Sequence, residues 1–80
     1  MRVSVKLFAT LGKYAPVSGL PGTPFEVELP EAACLSDLLA KLDVPSGLVK
    51  ITFVNAVIQP LDWVLNAGDD VGIFPPVGGG

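Results

Sequence analysis

Histidine is absent from this sequence of 80 residues, and cysteine occurs once, as Cys34. Zinc sites built from histidine and cysteine need several such residues, a Ser-His-Asp triad needs histidine, and a disulfide within one chain needs two cysteines. The sequence therefore excludes these three kinds of site. No other acid–base pair or nucleophile constellation stands out, so we do not expect an enzyme that acts alone.

Basic residues and long apolar runs are also scarce. Five Lys and Arg residues stand against eight Asp and Glu residues, which gives a net charge of −3. No basic cluster could neutralise phosphates, so nucleic acid is not an expected partner. No apolar run approaches the roughly 18 residues of a membrane span, and the start MRVSVKLF alternates, unlike a signal peptide. We expect a cytoplasmic protein of a reducing compartment, with no membrane partner.

Hydrophobic residues, by contrast, make up 50% of the chain, which is long enough for one compact domain. Alternation of polar and apolar residues predicts four strands, in RVSVKLF, TPFEVEL, VKITFVN and VGIF. Apolar residues at i, i+3, i+4 and i+7 predict one helix, with a stripe of Leu35, Leu38, Leu39 and Leu42. One helix covers only one face of a sheet, so we expect an α+β fold whose other face is solvated or binds a partner.

The chain ends in FPPVGGG, directly after the last predicted strand. Two prolines favour an extended spacer, and glycines, which lack a Cβ, can enter a slot too narrow for any side chain. We expect a folded domain over residues 1–74 and a flexible tail over 75–80 that reaches roughly 20 Å. A frayed terminus would have the same composition. The alternative is that the terminal carboxylate, which is ionised at neutral pH, is a reactive group that could attack an activated phosphate held by another enzyme.

Three segments carry a resemblance to a known family: VKLFATL at 5–11, FVN at 53–55 and LNAGDDVGIFPPVGGG at 65–80. Together they resemble the ubiquitin-like sulfur carriers, which include the small subunit of molybdopterin synthase and the thiamine sulfur carrier. The resemblance implies a β-grasp fold, a mixed sheet with one main helix packed on one face. The PPV segment and the chain length are more similar to the molybdopterin branch.

The resemblance also implies a mechanism and partners. An E1-like adenylating enzyme would use ATP to activate the carboxylate of Gly80, and sulfur would then replace AMP to give a thiocarboxylate. The molybdopterin synthase large subunit would receive that sulfur, and no cofactor or metal would be tightly bound. The residues implied to thread into the partner enzymes are Pro75, Pro76, Val77, Gly78 and Gly79.

Two phenylalanines are candidates for the surface that docks on these partners. Strand alternation places Phe8 opposite Val3, Val5 and Leu7, and places Phe74 opposite Val71 and Ile73. The implied fold makes the first and last strands parallel neighbours, so both rings should be exposed on the helix-free face. An exposed aromatic pair is typical of an interface, although a covering loop would give both rings a structural role. Ile58 follows FVN where the family carries an apolar interface residue.

Several alternatives stay open at this stage. The sulfur could serve thiamine, cysteine or tRNA thiolation, the chain could be a ubiquitin-like modifier of lysines, or the tail could be inert on a non-covalent β-grasp module. Cys34 could relay sulfur, but a small apolar residue near a helix cap accounts for it. Asp69 and Asp70 could bind a cation, but a turn after Gly68 explains them more simply.

Overall fold

The computed structural model describes residues 1–16 and 20–76, which form a five-stranded sheet with an α-helix on one face. The strands are β1 (Arg2–Leu7), β2 (Phe25–Glu28), β3 (Ile51–Val54), β4 (Val57–Ile58) and β5 (Asp70–Phe74). The helix α1 spans Leu35–Lys41, and 3-10 helices span Ala9–Tyr14 and Ser46–Leu48. Within these described ranges, no helix has the length and apolar character needed to cross a membrane.

The strand order is β2-β1-β5-β3-β4, so β5 is the central strand. β1 and β5 pair in parallel, whereas the pairs β1–β2, β3–β5 and β3–β4 are antiparallel. The parallel pairing of the first and last strands, which the resemblance implies, is confirmed. The mixed sheet with its helix is the β-grasp arrangement. The short edge strand β4 is a fifth strand, beyond the four that alternation predicted.

The core lies between one face of the sheet and α1. The inward residues of the two central parallel strands are buried, as predicted: Val3, Val5 and Leu7 from β1, and Val71 and Ile73 from β5. Leu35, Leu38 and Leu39 of α1 are buried against them, and Leu42 is half-buried at the helix end. The predicted leucine stripe is therefore the face that α1 presents to the sheet.

Residues just outside α1 set its limits. The N–H of Cys34 donates to the Asp37 carboxylate at 2.9 Å, which satisfies one of the unpaired donors at the helix start. That hydrogen bond holds the pKa of Asp37 below its ordinary value. At the other end, Asp43 adopts a left-handed φ of 59°, which a continuing helix does not allow.

The face of β3 that meets the core carries Thr52 and Val54, which are buried. Ile51 and Phe53 therefore share the opposite face, away from α1. The Thr52 hydroxyl donates to the main-chain oxygen of Gln59, so its burial leaves no unsatisfied polar group. This orientation of β3 brings a third phenylalanine onto the helix-free face.

Candidate functional site: the aromatic face and the end of β5

Three half-buried phenylalanines form a cluster on the helix-free face, here called the aromatic face: Phe8, Phe53 and Phe74. The rings of Phe8 and Phe74 are stacked, with centroids 4.1 Å apart and planes 5° apart. Phe53 meets Phe74 edge-on, with centroids 5.6 Å apart and an interplanar angle of 75°. Both geometries are favourable for aromatic pairs, so the cluster is held by its own contacts.

The prediction that Phe8 and Phe74 lie side by side on this face is confirmed, but the two rings are half-buried where exposed rings were expected. Both rings are half-buried because they cover one another and because Gly22 approaches Phe8. A Cβ on Gly22 would lie 3.1 Å from Cε1 of Phe8, and the Gly22 N–H donates to the oxygen of Leu7 at 2.8 Å. The turn that contains Gly22 therefore covers one edge of the Phe8 ring.

The aromatic face encloses a shallow hollow with a volume of about 620 Å³ centred on the middle of β5. Its lining combines the three rings with small and polar residues: Ser4, Lys6, Asn55, Ala56, Asp70, Val71 and Gly72. The strand register aligns one row across four strands, from Lys6 through Gly72 and Phe53 to Ile58. Neither Lys6 nor Gly72 nor Phe53 was singled out from sequence, because cross-strand register is not visible in local alternation.

Ile58 lies on the same face as Phe53, its partner in the β3–β4 pair, and is 62% exposed. It lines a second shallow groove with Ile51, Gln59 and Leu61 rather than the hollow over Gly72. The structure thus places Ile58 beside the aromatic face and accessible from solvent. Its role at an interface stays a prediction.

The sheet ends where β5 meets Pro75. The N–H of Phe8 donates to the oxygen of Ile73 at 3.0 Å, and the N–H of Lys50 donates to the oxygen of Phe74 at 2.9 Å. Pro75 is half-buried and Pro76 is exposed, and neither has an N–H with which to continue a ladder. The chain therefore leaves the sheet directly beside the stacked pair.

The remaining tail residues that the sequence singles out, Val77, Gly78, Gly79 and Gly80, lie outside the described residues. The division at residues 74 and 75 into domain and tail, and the threading role of the tail, stay predictions. Pro75 and Pro76 are the part of that segment for which the structure gives a position.

At the opposite end of β5, a hydrogen-bonded clasp joins Asn55 to Asp69 and Asp70. The Asn55 side-chain amide donates to Asp69 at 3.0 Å, and the Asp70 N–H donates to the Asn55 side-chain oxygen at 3.0 Å. The other carboxylate oxygen of Asp69 accepts from the Asn66 N–H at 2.8 Å. These bonds give the Asp69 side chain the structural role in a turn that the sequence favoured over cation binding, whereas Asp70 contributes its main-chain N–H. Among the described residues, no group of three or more His, Cys, Asp and Glu could hold a metal ion.

Cys34 is half-buried and free, at the residue before α1. Its Sγ lies 2.9 Å from Oγ of Ser36 and 3.3 Å from a carboxylate oxygen of Asp37. The thiol therefore takes part in the polar contacts that surround the helix start, where the sequence placed it as a small residue near a cap. It lies on the α1 side of the molecule, and the aromatic face does not include it.

Comparison with known proteins assigns this architecture to a family. A sequence model of the ThiS family matches residues 5–80 of the chain. That match includes both β5 and the terminal glycines. No protein with a curated description matches the chain.

Solved structures give a consistent fold. A putative molybdopterin converting factor, subunit 1, from Pyrococcus furiosus is 31% identical, with a TM-score of 0.71 over 95% of this chain and 98% of that one. A chain in a protein–protein complex of subunits 1 and 2 of molybdopterin-converting factor from Helicobacter pylori 26695 is 25% identical, with a TM-score of 0.59 and full coverage of both chains. SAMP1 from Haloferax volcanii shares the fold at 24% identity, with a TM-score of 0.71 and full coverage of both chains.

Proposed function

The chain belongs to the ThiS family, and from this we propose that it is a sulfur carrier whose C-terminal carboxylate, on Gly80, is converted to a thiocarboxylate. In the proposed first step, a carboxylate oxygen attacks the α-phosphorus of ATP on an E1-like enzyme and pyrophosphate leaves. A sulfide-level sulfur nucleophile then attacks the carbonyl carbon, AMP leaves, and a C–S bond forms. The chain itself supplies the acyl group and the docking surface, and the partner enzymes supply the catalysis.

The observation that carries this proposal is the position of the aromatic face at the root of the C-terminal segment. β5 ends at Phe74, whose ring is stacked on Phe8, and the next two residues are prolines that cannot extend the sheet. A partner that binds the aromatic face is therefore held directly beside the point at which residues 75–80 begin. An apolar docking surface next to a glycine-rich end fits a protein that is held while its terminus reaches a buried site.

The terminal glycines fit the chemistry of the intermediate. An acyl adenylate reacts with water, so the site that forms it must exclude water and be narrow. Residues without a Cβ pass through such a channel where larger residues would be blocked. We therefore assign Pro75 and Pro76 as a spacer and Val77, Gly78 and Gly79 as the threaded segment that delivers Gly80.

We further propose that the carrier serves molybdopterin synthesis as the small subunit of the synthase. The support is the 31% identity with the Pyrococcus furiosus protein, which is named as a putative molybdopterin converting factor, subunit 1. In the Helicobacter pylori structure, subunit 1 is bound to subunit 2 of its converting factor. By analogy, the second partner of this chain is a synthase large subunit. We place this function in the cytoplasm, because ATP is available there to the activating enzyme.

The proposal is tested by incubating the full chain with the E1-like enzyme of its source organism, ATP and a sulfur donor. We expect pyrophosphate release, followed by an intact mass that corresponds to the exchange of one oxygen for one sulfur. Absence of both products would contradict the carrier function. The pathway is tested by adding a large subunit to the thiocarboxylated chain and measuring conversion of the molybdopterin precursor. Isopeptide-linked adducts of the chain in cells would instead support a role as a protein modifier.

A further inference from the structure

The second groove, at the β3–β4 edge of the sheet and here called the edge groove, has no role in the proposed function. Its volume is about 380 Å³. Its apolar lining comes from Val49, Ile51, Ile58 and Leu61, of which Ile58 is exposed and the other three are half-buried. The edge groove therefore presents an apolar floor, open to solvent, on which a small side chain could pack.

Lys50 supplies the charge of the edge groove. Of the described residues that line the groove, Lys50 is the one with an ionisable side chain. Lys50 is exposed, and in the part of the chain that the structure describes the ion pairs are made by the Met1 amino group and by Arg2. Asp62, which follows Leu61 in sequence, does not line the groove. An apolar floor beside a single ammonium fits a ligand with one small apolar group and one negative charge.

The C-terminal segment begins beside this groove. The N–H of Lys50 donates to the oxygen of Phe74 at 2.9 Å, and Ile51 is the partner of Phe74 in the β3–β5 pair. Adjacent strands lie about 5 Å apart, so the chain enters Pro75 about one strand spacing from Lys50. Residues 77–80, which follow, lie outside the described residues.

The composition of residues 77–80 matches the chemistry of the edge groove. Val77 carries a small apolar side chain, and Gly80 carries a carboxylate that is ionised at neutral pH. Gly78 and Gly79, between them, can adopt positive φ without steric cost, which allows the chain to reverse its direction. Four residues span at most about 14 Å, and this reach covers the distance of one strand spacing back to Lys50.

We propose that in the free carrier the C-terminal segment folds back into the edge groove, with Val77 on its apolar floor and the Gly80 carboxylate paired with the Lys50 ammonium. The consequence of this contact rests on the proposed function: a carboxylate held at Lys50 is withheld from the activating enzyme, so the contact is autoinhibitory. An ion pair exposed to solvent is weak and is screened by salt, so the enzyme can displace it.

Nuclear magnetic resonance of the free wild-type chain tests the contact without any partner. We expect nuclear Overhauser effects between the methyl groups of Val77 and those of Ile51 and Ile58. Deletion of residues 77–80 should shift the methyl signals of both isoleucines and leave those of Val3, in the core beneath β1, unchanged. Absence of these Overhauser effects, together with isoleucine signals that do not move on deletion, overturns the proposal.

The charge is tested by Lys50→Glu, with Lys41→Glu as a control that makes the same change in net charge at a residue of α1 that does not line the groove. We expect Lys50→Glu to reduce the shift that deletion causes at Ile51 by about threefold or more at low salt, with a smaller reduction at high salt. Lys41→Glu should leave that shift as in the wild type. Equal effects of the two variants would overturn the pairing of Gly80 with Lys50.

The apolar half of the contact is tested by Val77→Ser, which should reduce the same shift at Ile58. A sample that mixes isotope-labelled and unlabelled copies decides whether the contact is intramolecular. Overhauser effects between the two kinds of copy would place the segment in the groove of a second molecule, and would overturn the proposed fold-back.

Autoinhibition is measured with the source organism's E1-like enzyme, by pyrophosphate release at varied concentrations of the chain. The apparent affinity for a partner falls in proportion to the fraction of the chain that is competent to bind. We therefore expect the KM of Lys50→Glu to lie about twofold or more below that of the wild type at low salt, and the two values to converge at high salt. A KM of Lys50→Glu equal to or above that of the wild type would overturn the autoinhibitory role.

The fold-back and the carrier function can fail independently. Absence of pyrophosphate release with the wild-type chain contradicts the proposed function, whereas the Overhauser effects are measured without any enzyme. Normal release by a wild-type chain that shows no Overhauser effects between Val77 and the isoleucines leaves the carrier function supported and overturns the fold-back alone.

Discussion

The side-chain amide of Asn55 donates a 3.0 Å hydrogen bond to the carboxylate of Asp69, across a sequence separation of 14 residues. The two residues lie in different segments of the family motif, FVN and LNAGDDVGIFPPVGGG. Their contact joins the β3–β4 turn to the turn that precedes β5, and so fixes where the central strand begins. These two motif residues therefore serve the placement of β5, whereas the proposed chemistry belongs to the other end of the same segment.

Removal of this clasp should destabilise the fold. Asn55→Ala removes the side-chain partner of the Asp69 carboxylate and of the Asp70 N–H. The free energy of unfolding should therefore fall by about 1–3 kcal/mol. Asn66→Ala is the matched control, because Asn66 contributes its main-chain N–H to Asp69. Chemical denaturation of both variants measures the difference. Equal free energies of unfolding would contradict the structural role of the Asn55 side chain.

The β3–β4 turn offers a stabilising substitution. Asn55 and Ala56 have φ values of 51° and 69°, as a two-residue type I′ turn requires, and glycine is preferred at the second position. We expect Ala56→Gly to raise the free energy of unfolding by up to about 1 kcal/mol, since relief of left-handed strain exceeds the entropic cost of glycine. Ala67→Gly, at a residue without positive φ, should lower it. A lower melting temperature for Ala56→Gly would show that the strain is smaller than this argument requires.

The leucine stripe of α1 should carry much of the stability of the domain. Leu38 is fully buried, so Leu38→Ala should cost about 2–5 kcal/mol through lost burial and the cavity that remains. Lys41→Ala changes an exposed residue of the same helix and should stay within about 0.5 kcal/mol. Thermal melts of the two variants provide the comparison. Similar melting temperatures would mean that the core tolerates the loss of a fully buried leucine.

The stacked phenylalanines should matter more for binding than for folding. Phe8→Ala and Phe74→Ala should each weaken binding to the partner enzyme by roughly 10–100-fold, since aromatic residues often anchor interfaces. Because both rings are half-buried and stacked, we also expect each variant to lose about 1 kcal/mol of stability. Affinity per folded molecule is the quantity to measure. Variants that melt far below wild type yet bind normally when folded would place the docking surface elsewhere.

The C-terminal glycines should be essential for activation and unimportant for folding. Deletion of Gly80 or the change Gly79→Val should abolish adenylation, because the first removes the reacting residue and the second puts a branched side chain where a narrow channel must pass. The buried core lies within residues 3–73, so both variants should melt like the wild type. Pyrophosphate exchange with the activating enzyme is the assay. Gly47→Val, in the 3-10 helix Ser46–Leu48 where a Cβ meets nothing within 4 Å, should exchange at the wild-type rate.

Local pattern in the sequence determined the character of the elements. Alternation placed Val3, Val5 and Leu7 inward and Phe8 outward, because successive side chains in a strand point to opposite faces. The leucine spacing determined the buried face of α1, because residues three and four apart lie on the same face of a helix. The motif at the C-terminus identified the family and the expected β-grasp fold. Each of these conclusions depends on residues that are close in sequence.

Contacts between distant segments were decided only by the tertiary structure. Thr52 and Val54 face the core although Ile51 and Phe53 are the more apolar pair, so the polarity of the β3 residues does not determine which pair is buried. The register of β5 against β1 and β3 placed Lys6, Gly72, Phe53 and Ile58 in one row, and the turn at Gly22 half-covered Phe8. Strand register depends on which segments pair across the whole chain, and a shift of one residue would reverse every face. For that reason the sequence predicted an aromatic pair, and the fold made it one wall of a hollow that Lys6 and Asp70 also line.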